Sequence, residues 1–336
     1  RAYLDRKKQP KDSYTAGNSI YAGYIATEYY PVAPLLVNLG VRYEISKQWV
    51  DYYTDGGKAE RSELNKNDLF PSLNMKYQMN EKNSLRFAFS RTVTRPSFIE
   101  MAPFLYQESY GSAQIRGNAD LQNGYNYNID LRYELFEKNG DMLSITAYYK
   151  HLKAPIERVQ TLSGGSAVHS FRNADNGMAT GVEIEFRKEI VKDLRFGVNG
   201  SYMYTNVKLP EGGAYTNSQR ALQGASPYLA NADLTYSPAF SNDRQLSVAL
   251  LYNLQGPRIH SVGISGLGDI KQQPVHTLNF TGSYRFNRRF AVKLQVNDLL
   301  NQDILFKQEV PTTGDKVEVE RFRKGTGFEV GFSYDL

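Results

Sequence analysis

The chain has 336 residues, with 40 lysines and arginines against 35 aspartates and glutamates, and it contains 25 tyrosines, 17 phenylalanines and no cysteine. The lack of cysteine excludes disulfides, thiolate metal ligands and thiol nucleophiles. The net charge of +5 is spread along the chain without a basic block, which argues against nucleic-acid binding. No window approaches the roughly 18 consecutive apolar residues of a transmembrane helix. The chain begins at Arg1 without a signal-peptide pattern, so we expect a mature product or a fragment.

Runs in which every second side chain is large and apolar recur along the whole chain. Such alternation places the apolar side chains on one face of a β-strand, as Phe328, Val330 and Phe332 show in the last run. The pattern predicts an all-β protein of about thirteen strands. In chain order these are 14–29, 35–48, 69–79, 84–93, 125–136, 142–153, 179–188, 194–208, 228–236, 245–254, 276–286, 290–299 and 323–336.

The predicted connections alternate between short and long. The short ones are rich in Asn, Gly, Pro and charged residues, which suit hairpin turns; they are 30–34, 80–83, 137–141, 189–193, 237–244 and 287–289. The long ones run to roughly twenty to thirty residues and include 94–124, 154–178, 255–275 and 300–322. Tight turns at one rim and long loops at the other are typical of an antiparallel transmembrane β-barrel.

Both faces of the predicted strands favour a membrane barrel. Aromatic residues precede the short turns on the apolar face, as an interfacial girdle requires; they are Tyr29, Tyr77, Tyr133, Phe186, Tyr236 and Tyr284. The opposite face carries groups suited to a hydrated lumen, such as Asn38, Arg42 and Glu44. The alternative is a soluble sandwich or propeller whose apolar face is its core. Long loops on one side only and a tyrosine-rich apolar face weigh against it.

The odd number of strands indicates an incomplete barrel. Single-chain bacterial barrels have an even number of strands, with both chain ends on the periplasmic side. We therefore expect residues 1–336 to be one incomplete domain, the C-terminal portion of a larger barrel. In this interpretation the short turns lie in the periplasm, Arg1 lies in an extracellular loop, and further strands and any plug lie upstream.

Five strings resemble those of the TonB-dependent outer-membrane receptors, of the type common in the Bacteroidetes. Residues 38–44 (NLGVRYE) resemble the family's G-x-R-Y-E strand, and 69–77 (LFPSLNMKY) and 85–98 (LRFAFSRTVTRPSF) are similar to its next two strands. Residues 117–121 (GNADL) and 297–301 (NDLLN) resemble its GNPxLKP loop and NLFN string. Ala119 and Asn123 stand where the family usually has proline, and Leu336 replaces the usual terminal Phe.

This resemblance implies a barrel of about 22 strands with a plugged lumen, of which the chain would be the last thirteen. It implies a protein of the bacterial outer membrane that imports a scarce nutrient, such as a ferric chelate, haem, a peptide or a glycan, when the TonB complex displaces the plug. The implied partners are the TonB complex, a surface lipoprotein lid, and outer-membrane lipid and lipopolysaccharide, whose negative charge suits the weak basic bias. The alternative is a passive or non-transporting barrel: an adhesin, a porin-like channel or a component of a secretion assembly.

No pattern in the sequence indicates catalysis, a metal or a cofactor. Residues 263–267 lack the second glycine of a nucleophile elbow. The four histidines have no metal-ligand spacing, and residues 175–177 lack the further acidic ligands of a calcium loop. We therefore expect a protein that is not an enzyme.

Ligand contacts are expected from the long loops, because aromatic and arginine side chains are enriched at binding hot spots. A cationic rim would favour an anionic ligand. Arg95 and Pro96, by contrast, are expected to fix the end of a strand. The candidate contacts are Tyr106, Tyr110, Arg116, Tyr215, Arg220, Arg258 and His260.

Overall fold

The computed structural model describes residues 10–107, 114–137, 139–163, 166–210, 216–240, 243–263 and 266–335. Apart from a 3-10 turn at Pro10–Asp12 and a one-turn helix, α1 (Phe98–Met101), its regular elements are strands. No helix in these ranges is long and apolar enough to cross a membrane. The strands are β1 (Tyr14–Val32), β2 (Leu35–Tyr53), β3 (Ala59–Gln78), β4 (Asn83–Thr94), β5 (Leu105–Tyr106), β6 (Ile115–Arg116), β7 (Gly124–Phe136), β8 (Met142–Lys153), β9 (Ile156–Ser163), β10 (Ser166–Asn173), β11 (Asn176–Val191), β12 (Leu194–Lys208), β13 (Gln219–Arg220), β14 (Tyr228–Tyr236), β15 (Gln245–Gln255), β16 (Arg258–Ser261), β17 (Ile270–Gln272), β18 (Val275–Arg285), β19 (Phe290–Asn297), β20 (Ile304–Val310), β21 (Asp315–Phe322) and β22 (Gly327–Tyr334).

Thirteen of these strands form one antiparallel sheet that follows the chain. The order is β1-β2-β3-β4-β7-β8-β11-β12-β14-β15-β18-β19-β22, and β13 pairs with the upper end of β12. All thirteen predicted strands are present, and the six predicted short turns join neighbours along one rim. The all-β prediction and the antiparallel arrangement are therefore confirmed.

The structure corrects the prediction at the second hairpin. Residues 49–68 separate the predicted strands 35–48 and 69–79, but β2 and β3 continue through most of them to a five-residue turn at 54–58. Alternation persists there, but most outer positions carry charged or polar groups, with Trp49 between Lys47 and Asp51. Lys47 Nζ lies 2.7 Å from Glu63 Oε1, and Arg61 Nε lies 2.5 Å from Asp51 Oδ1. Ion pairs replace apolar contacts, so a hydrophobicity pattern does not detect this half of the hairpin.

The long connections also contain strands that the sequence pattern does not predict. β5, β6, β10 and β9 form one small sheet, and β16, β17, β20 and β21 form another. The second small sheet has the same strand order as the main-sheet strands next to it in the chain: β16 follows β15, β17 precedes β18, β20 follows β19, and β21 precedes β22. Its two hairpins extend from the ends of those strands that lie opposite the short turns, which we call the upper ends. It therefore continues the wall of the main sheet. The final strand begins at Gly327, later than predicted, and Leu336 lies outside the described residues.

The main sheet has one apolar and one polar face along its length. On the apolar face, side chains such as Ile25, Ile184 and Phe332 are 76%, 49% and 72% exposed, which is the exposure expected of groups that meet lipid. The six girdle aromatics lie on the apolar face beside the short turns, at what we call its lower edge. There Tyr77 pairs with Leu35, and Tyr236 pairs with Leu194. The polar face carries the predicted lumen residues.

Replacing Ile184 with arginine tests which face meets lipid. Ile184 pairs with Ile145 and Gly200 near the middle of the apolar face, so Ile184→Arg should cost about 2–4 kcal/mol of unfolding free energy in a bilayer. The matched control is Ser201→Arg, which places the same side chain on the polar face opposite Glu183. Unfolding of the natural full-length protein in lipid vesicles measures both. Equal costs for the two variants would contradict the assignment of the faces.

Candidate ligand-facing surface of the loops and lumen

The structure separates the predicted ligand contacts into three places on the long connections. Tyr106 lies in β5 and Arg116 in β6, Arg220 lies in β13, and Arg258 and His260 lie in β16. Tyr110 and Tyr215 lie outside the described residues. Arg220 and Arg258 line one cavity of about 710 Å³, whereas Tyr106 and Arg116 lie on another connection. The contact of all five side chains with a ligand stays a prediction.

Arg220 takes part in a buried ion pair. Its side chain is 2% exposed, and Nη2 lies 2.9 Å from Oε2 of Glu157, which is 6% exposed. Burial raises the pKa of the Glu157 carboxyl, while the charge of Arg220 and the backbone N–H of Gln223 oppose that rise. Because Glu157 belongs to β9 and Arg220 to β13, the pair joins two of the long connections.

Arg258 and His260 are oriented by neighbours within the upper sheet. Arg258 Nε donates to Gln272 Oε1 at 2.8 Å, across the β16–β17 pair. The exposed ring of His260 meets the buried ring of Phe306 edge to face, with centroids 4.7 Å apart. These contacts orient the guanidinium group of Arg258 and the imidazole ring of His260, both on β16.

Tyr106 and Arg116 lie near the tip of the second hairpin. The ring of Tyr106 is 5.6 Å from that of Phe104, which stacks on Tyr14 of β1. Arg116 Nη1 lies 3.4 Å from Asp55 Oδ2 in the turn between β2 and β3. This connection is therefore tied to the projecting hairpin.

A second link between loops was missed by sequence reasoning. The buried His169 in β10 accepts a hydrogen bond at Nδ1 from Arg158 Nε, at 2.9 Å, and its Nε2 lies 3.3 Å from the hydroxyl of Ser261 in β16. This contact joins the two small sheets. A single histidine without a spaced partner gives no signal in the sequence, because residues 92 positions apart meet only through the fold.

The residues of the RPSF string organise the base of the first long loop. Arg95 Nη2 lies 2.6 Å from Glu44 Oε2, and Gln48 Nε2 donates to the carbonyl of Pro96 at 2.5 Å. Ser97 and Glu100 then form a capping box at the start of α1. The prediction that Arg95 and Pro96 fix the end of the strand is confirmed.

The GNADL string packs this loop onto α1. A Cβ atom on Gly117 would collide with the carbonyl oxygens of Ile99 and Ala102, so only glycine fits this close approach. The neighbouring Asn118 donates two hydrogen bonds: its backbone N–H donates to Glu100 O at 2.6 Å, and its side-chain amide donates to Phe171 O at 2.9 Å. The string thus binds two long connections together.

Below the loops, the polar face carries a continuous network of charges. Glu134 accepts hydrogen bonds from Arg86 Nε and Arg132 Nε, both at 2.8 Å, and from Ser84 Oγ at 3.0 Å. A cavity of about 380 Å³ lies along this wall, and its lining includes Lys76 and Asp130. The described residues contain no group of three or more His, Cys, Asp or Glu side chains that could hold a metal ion. This arrangement suits the binding and passage of polar solutes.

Residues 5–334 match the model of the outer membrane protein beta-barrel family. A curated relative, the ferric enterobactin receptor of Pseudomonas aeruginosa, is 21% identical over an alignment of 270 positions that covers 74% of this chain and 35% of the relative.

Solved structures show the same fold at low sequence identity. The ferric yersiniabactin uptake receptor of Yersinia pestis matches with a TM-score of 0.69 and 14% identity, over 96% of this chain and 46% of the receptor. A copper transporter matches with a TM-score of 0.66 and 13% identity, over 95% of this chain and 48% of the transporter. The chain spans about half the length of these structures and about a third of the curated relative.

Removing Arg220 should loosen the loops in a pH-dependent way. Arg220→Met leaves the buried Glu157 carboxylate unpaired, which should lower the free energy of local opening by about 3–5 kcal/mol near neutral pH. Burial then raises the pKa of Glu157 without opposition from Arg220. A carboxyl whose pKa is raised by folding stabilises the folded loops fully at pH values below its ordinary pKa of 4.5. This stabilisation is lost as the pH rises through the raised pKa.

Hydrogen exchange of the amides in β9 and β13, corrected for the intrinsic rate at each pH, measures this effect. Protection in Arg220→Met should recover in acid, and the double variant Arg220→Met, Glu157→Gln should be protected at neutral pH as well. Loss of protection that is the same at every pH and in both variants would show that the ion pair does not hold these loops.

Substituting Gly117 should weaken the contact between residues 114–121 and α1, which belong to the same long loop. Gly117→Ala places a methyl group against two backbone carbonyl oxygens, and we expect a cost of about 1–3 kcal/mol in the packing of residues 114–121 against α1. Gly56→Ala is the matched control, because its new Cβ would meet only Thr54 Oγ1, at 3.9 Å. Limited proteolysis of intact cells compares the two variants: Gly117→Ala should be cleaved faster than Gly56→Ala. Equal cleavage rates would contradict the role of Gly117 in holding residues 114–121 against α1.

Proposed function

Because the chain belongs to the outer membrane protein beta-barrel family and lies in the bacterial outer membrane, we propose that it is the C-terminal part of a TonB-dependent receptor of the Bacteroidetes type that imports a scarce nutrient. The observation that carries this proposal is the thirteen-strand sheet with one apolar and one polar face, with two small sheets in the described parts of its long connections. It aligns over nearly its whole length with receptors about twice as long.

The length difference supports a larger barrel around a plug. Receptors that match 96% of this chain have only 46% and 54% of their own length covered by it. We propose that the remaining strands, to about 22 in total, and a plug lie upstream in the whole protein. The polar wall around Arg86, Arg132 and Glu134 would then face the plug and line the path that opens when the TonB complex displaces it.

Among the nutrients considered, a ferric chelate is best supported. The curated relative is a ferric enterobactin receptor, and one structural match is a ferric yersiniabactin uptake receptor. The described loops add cations at Arg116 and Arg258, and a cationic rim favours an anionic ligand. Loop closure over the ligand, or a lipoprotein lid above it, would shield it from the medium before the plug moves.

Uptake in cells tests the proposal directly. We expect deletion of the gene that encodes the whole protein, and separately of TonB, to abolish uptake of at least one radiolabelled ferric chelate from a panel that also includes haem, peptides and glycans. His260→Ala should weaken binding of that ligand to whole cells, while Lys324→Ala, an exposed residue beyond β21, should not. Uptake that persists without TonB would contradict the proposal and favour a passive barrel.

A further inference from the structure

The two small sheets of the long connections meet at a buried histidine. His169 of β10 and Ser261 of β16 are both buried, and His169 Nε2 lies 3.3 Å from the hydroxyl of Ser261. In the main sheet, β12 and β14 lie between the hairpin that carries β10 and the hairpin that carries β16. The contact therefore joins two long connections across a third one. We call the contacts of His169 with Arg158 and Ser261 the His169 link.

The hydrogen bonds of the imidazole ring determine its protonation state. Arg158 Nε carries a proton at every physiological pH and donates a hydrogen bond to His169 Nδ1 at 2.9 Å, so Nδ1 is an acceptor. A neutral imidazole has one N–H group, which must then be on Nε2, where it donates to Ser261 Oγ. The His169 link therefore uses both ring nitrogens and needs the neutral form of histidine.

A second proton on this ring is incompatible with these contacts. A proton on Nδ1 removes the acceptor for Arg158 and brings two positive charges to hydrogen-bond distance inside the protein. Four strands meet here, β6, β9, β10 and β16, and their single carboxylate, Glu157, is already paired with Arg220. The other charged or titratable side chains of these strands, besides His169, are all basic: Arg158 in β9, Arg116 in β6, Arg172 in β10, and Arg258 and His260 in β16. The surroundings therefore favour the neutral ring.

The buried carboxyl of the neighbouring link responds to acid in the opposite direction. Burial raises the pKa of Glu157, so the closed form of the Glu157–Arg220 pair takes up a proton more readily than the open form. Falling pH therefore favours closure between β9 and β13. An opening of the small sheets in acid would have to come from another group, and His169 is the buried one.

We propose that the His169 link is an acid-sensitive latch, which holds the two small sheets together near neutral pH and releases them in acid. Above the ordinary titration range of histidine, near pH ~6.5, the ring is neutral and the link contributes fully to the closed state. As the pH falls through that range, the open state binds the extra proton and the closed state excludes it, so the contribution of the link is lost. The inference concerns the order of the loops and is independent of nutrient import.

Hydrogen exchange of the amides in β10 and β16 tests the latch, measured on the natural full-length protein in lipid vesicles and corrected for the intrinsic rate at each pH. We expect local opening to be about three- to tenfold more frequent at about pH 5.5 than at about pH 7.5. His169→Gln should abolish this difference, because a glutamine side chain can accept from Arg158 and donate to Ser261 at either pH. His260→Gln removes the other histidine of β16 and is the matched control, which should respond as the natural protein does.

Ser261→Ala tests the latch without changing the histidine. His169 and Arg158 keep their contact in this variant, so β10 should still respond to pH, whereas β16 should not. If His169→Gln does not fold, this contrast decides. Equal opening at both pH values in the natural protein would overturn the proposal, as would an unchanged response in His169→Gln, a lost response in His260→Gln, or a β16 response that survives in Ser261→Ala. Because hydrogen exchange needs neither a nutrient nor TonB, failure of this inference is distinguishable from failure of the proposed transport.

Discussion

The architecture depends on one constraint: within the hydrocarbon layer, every backbone N–H and C=O group must find a partner in the protein. Antiparallel neighbours meet that requirement, and tight turns such as the one between β11 and β12 keep successive strands adjacent. The alternation of side chains then follows automatically. One set of positions, including Ile184, meets lipid, and the other, including Glu183, faces the polar interior. A slip of one residue would exchange them, which fixes the register of every hairpin.

Above the apolar band the constraint is relaxed, and the chain uses other interactions to stay ordered. The β2–β3 hairpin continues on cross-strand ion pairs such as Lys47 with Glu63. The loops are joined by the buried pair of Glu157 with Arg220 and by the contact of His169 with Ser261. These links tie loops that belong to different hairpins, so the described parts of the long connections form one connected layer.

Sequence reasoning succeeded where one simple physical rule acts alone. Strands in contact with lipid must alternate, and all thirteen were found from alternation, together with the turns and the girdle. It failed at residues 49–68, where most side chains on the outer face of β2 and β3 are charged or polar and alternation of apolar residues no longer marks the strands. Arg220, a candidate ligand contact from the sequence, is buried against Glu157, and its contact with a ligand stays a prediction. Burial of that kind depends on the meeting of β9 and β13, which no local pattern records.

The family resemblance acquires a physical meaning from the structure. The quoted strings hold residues that fix geometry: Arg95 reaches Glu44, Ser97 caps α1, and Gly117 permits a close backbone approach. They position the loops and leave the choice of ligand to other residues. Strings of this kind therefore identify the architecture better than the cargo.

Cysteine scanning in outer membranes tests the central claim most directly, namely that one face of this sheet meets lipid and the other a hydrated interior. The chain has no cysteine, so each introduced thiol gives its own signal. We would place single cysteines at residues 180–187 in the natural full-length protein and label cells with water-soluble and with lipid-soluble maleimides. The account predicts a period of two, with positions 182, 184 and 186 reached only by the lipid-soluble reagent. Uniform labelling along residues 180–187, or labelling that does not alternate with either reagent, would contradict the assignment of the two faces.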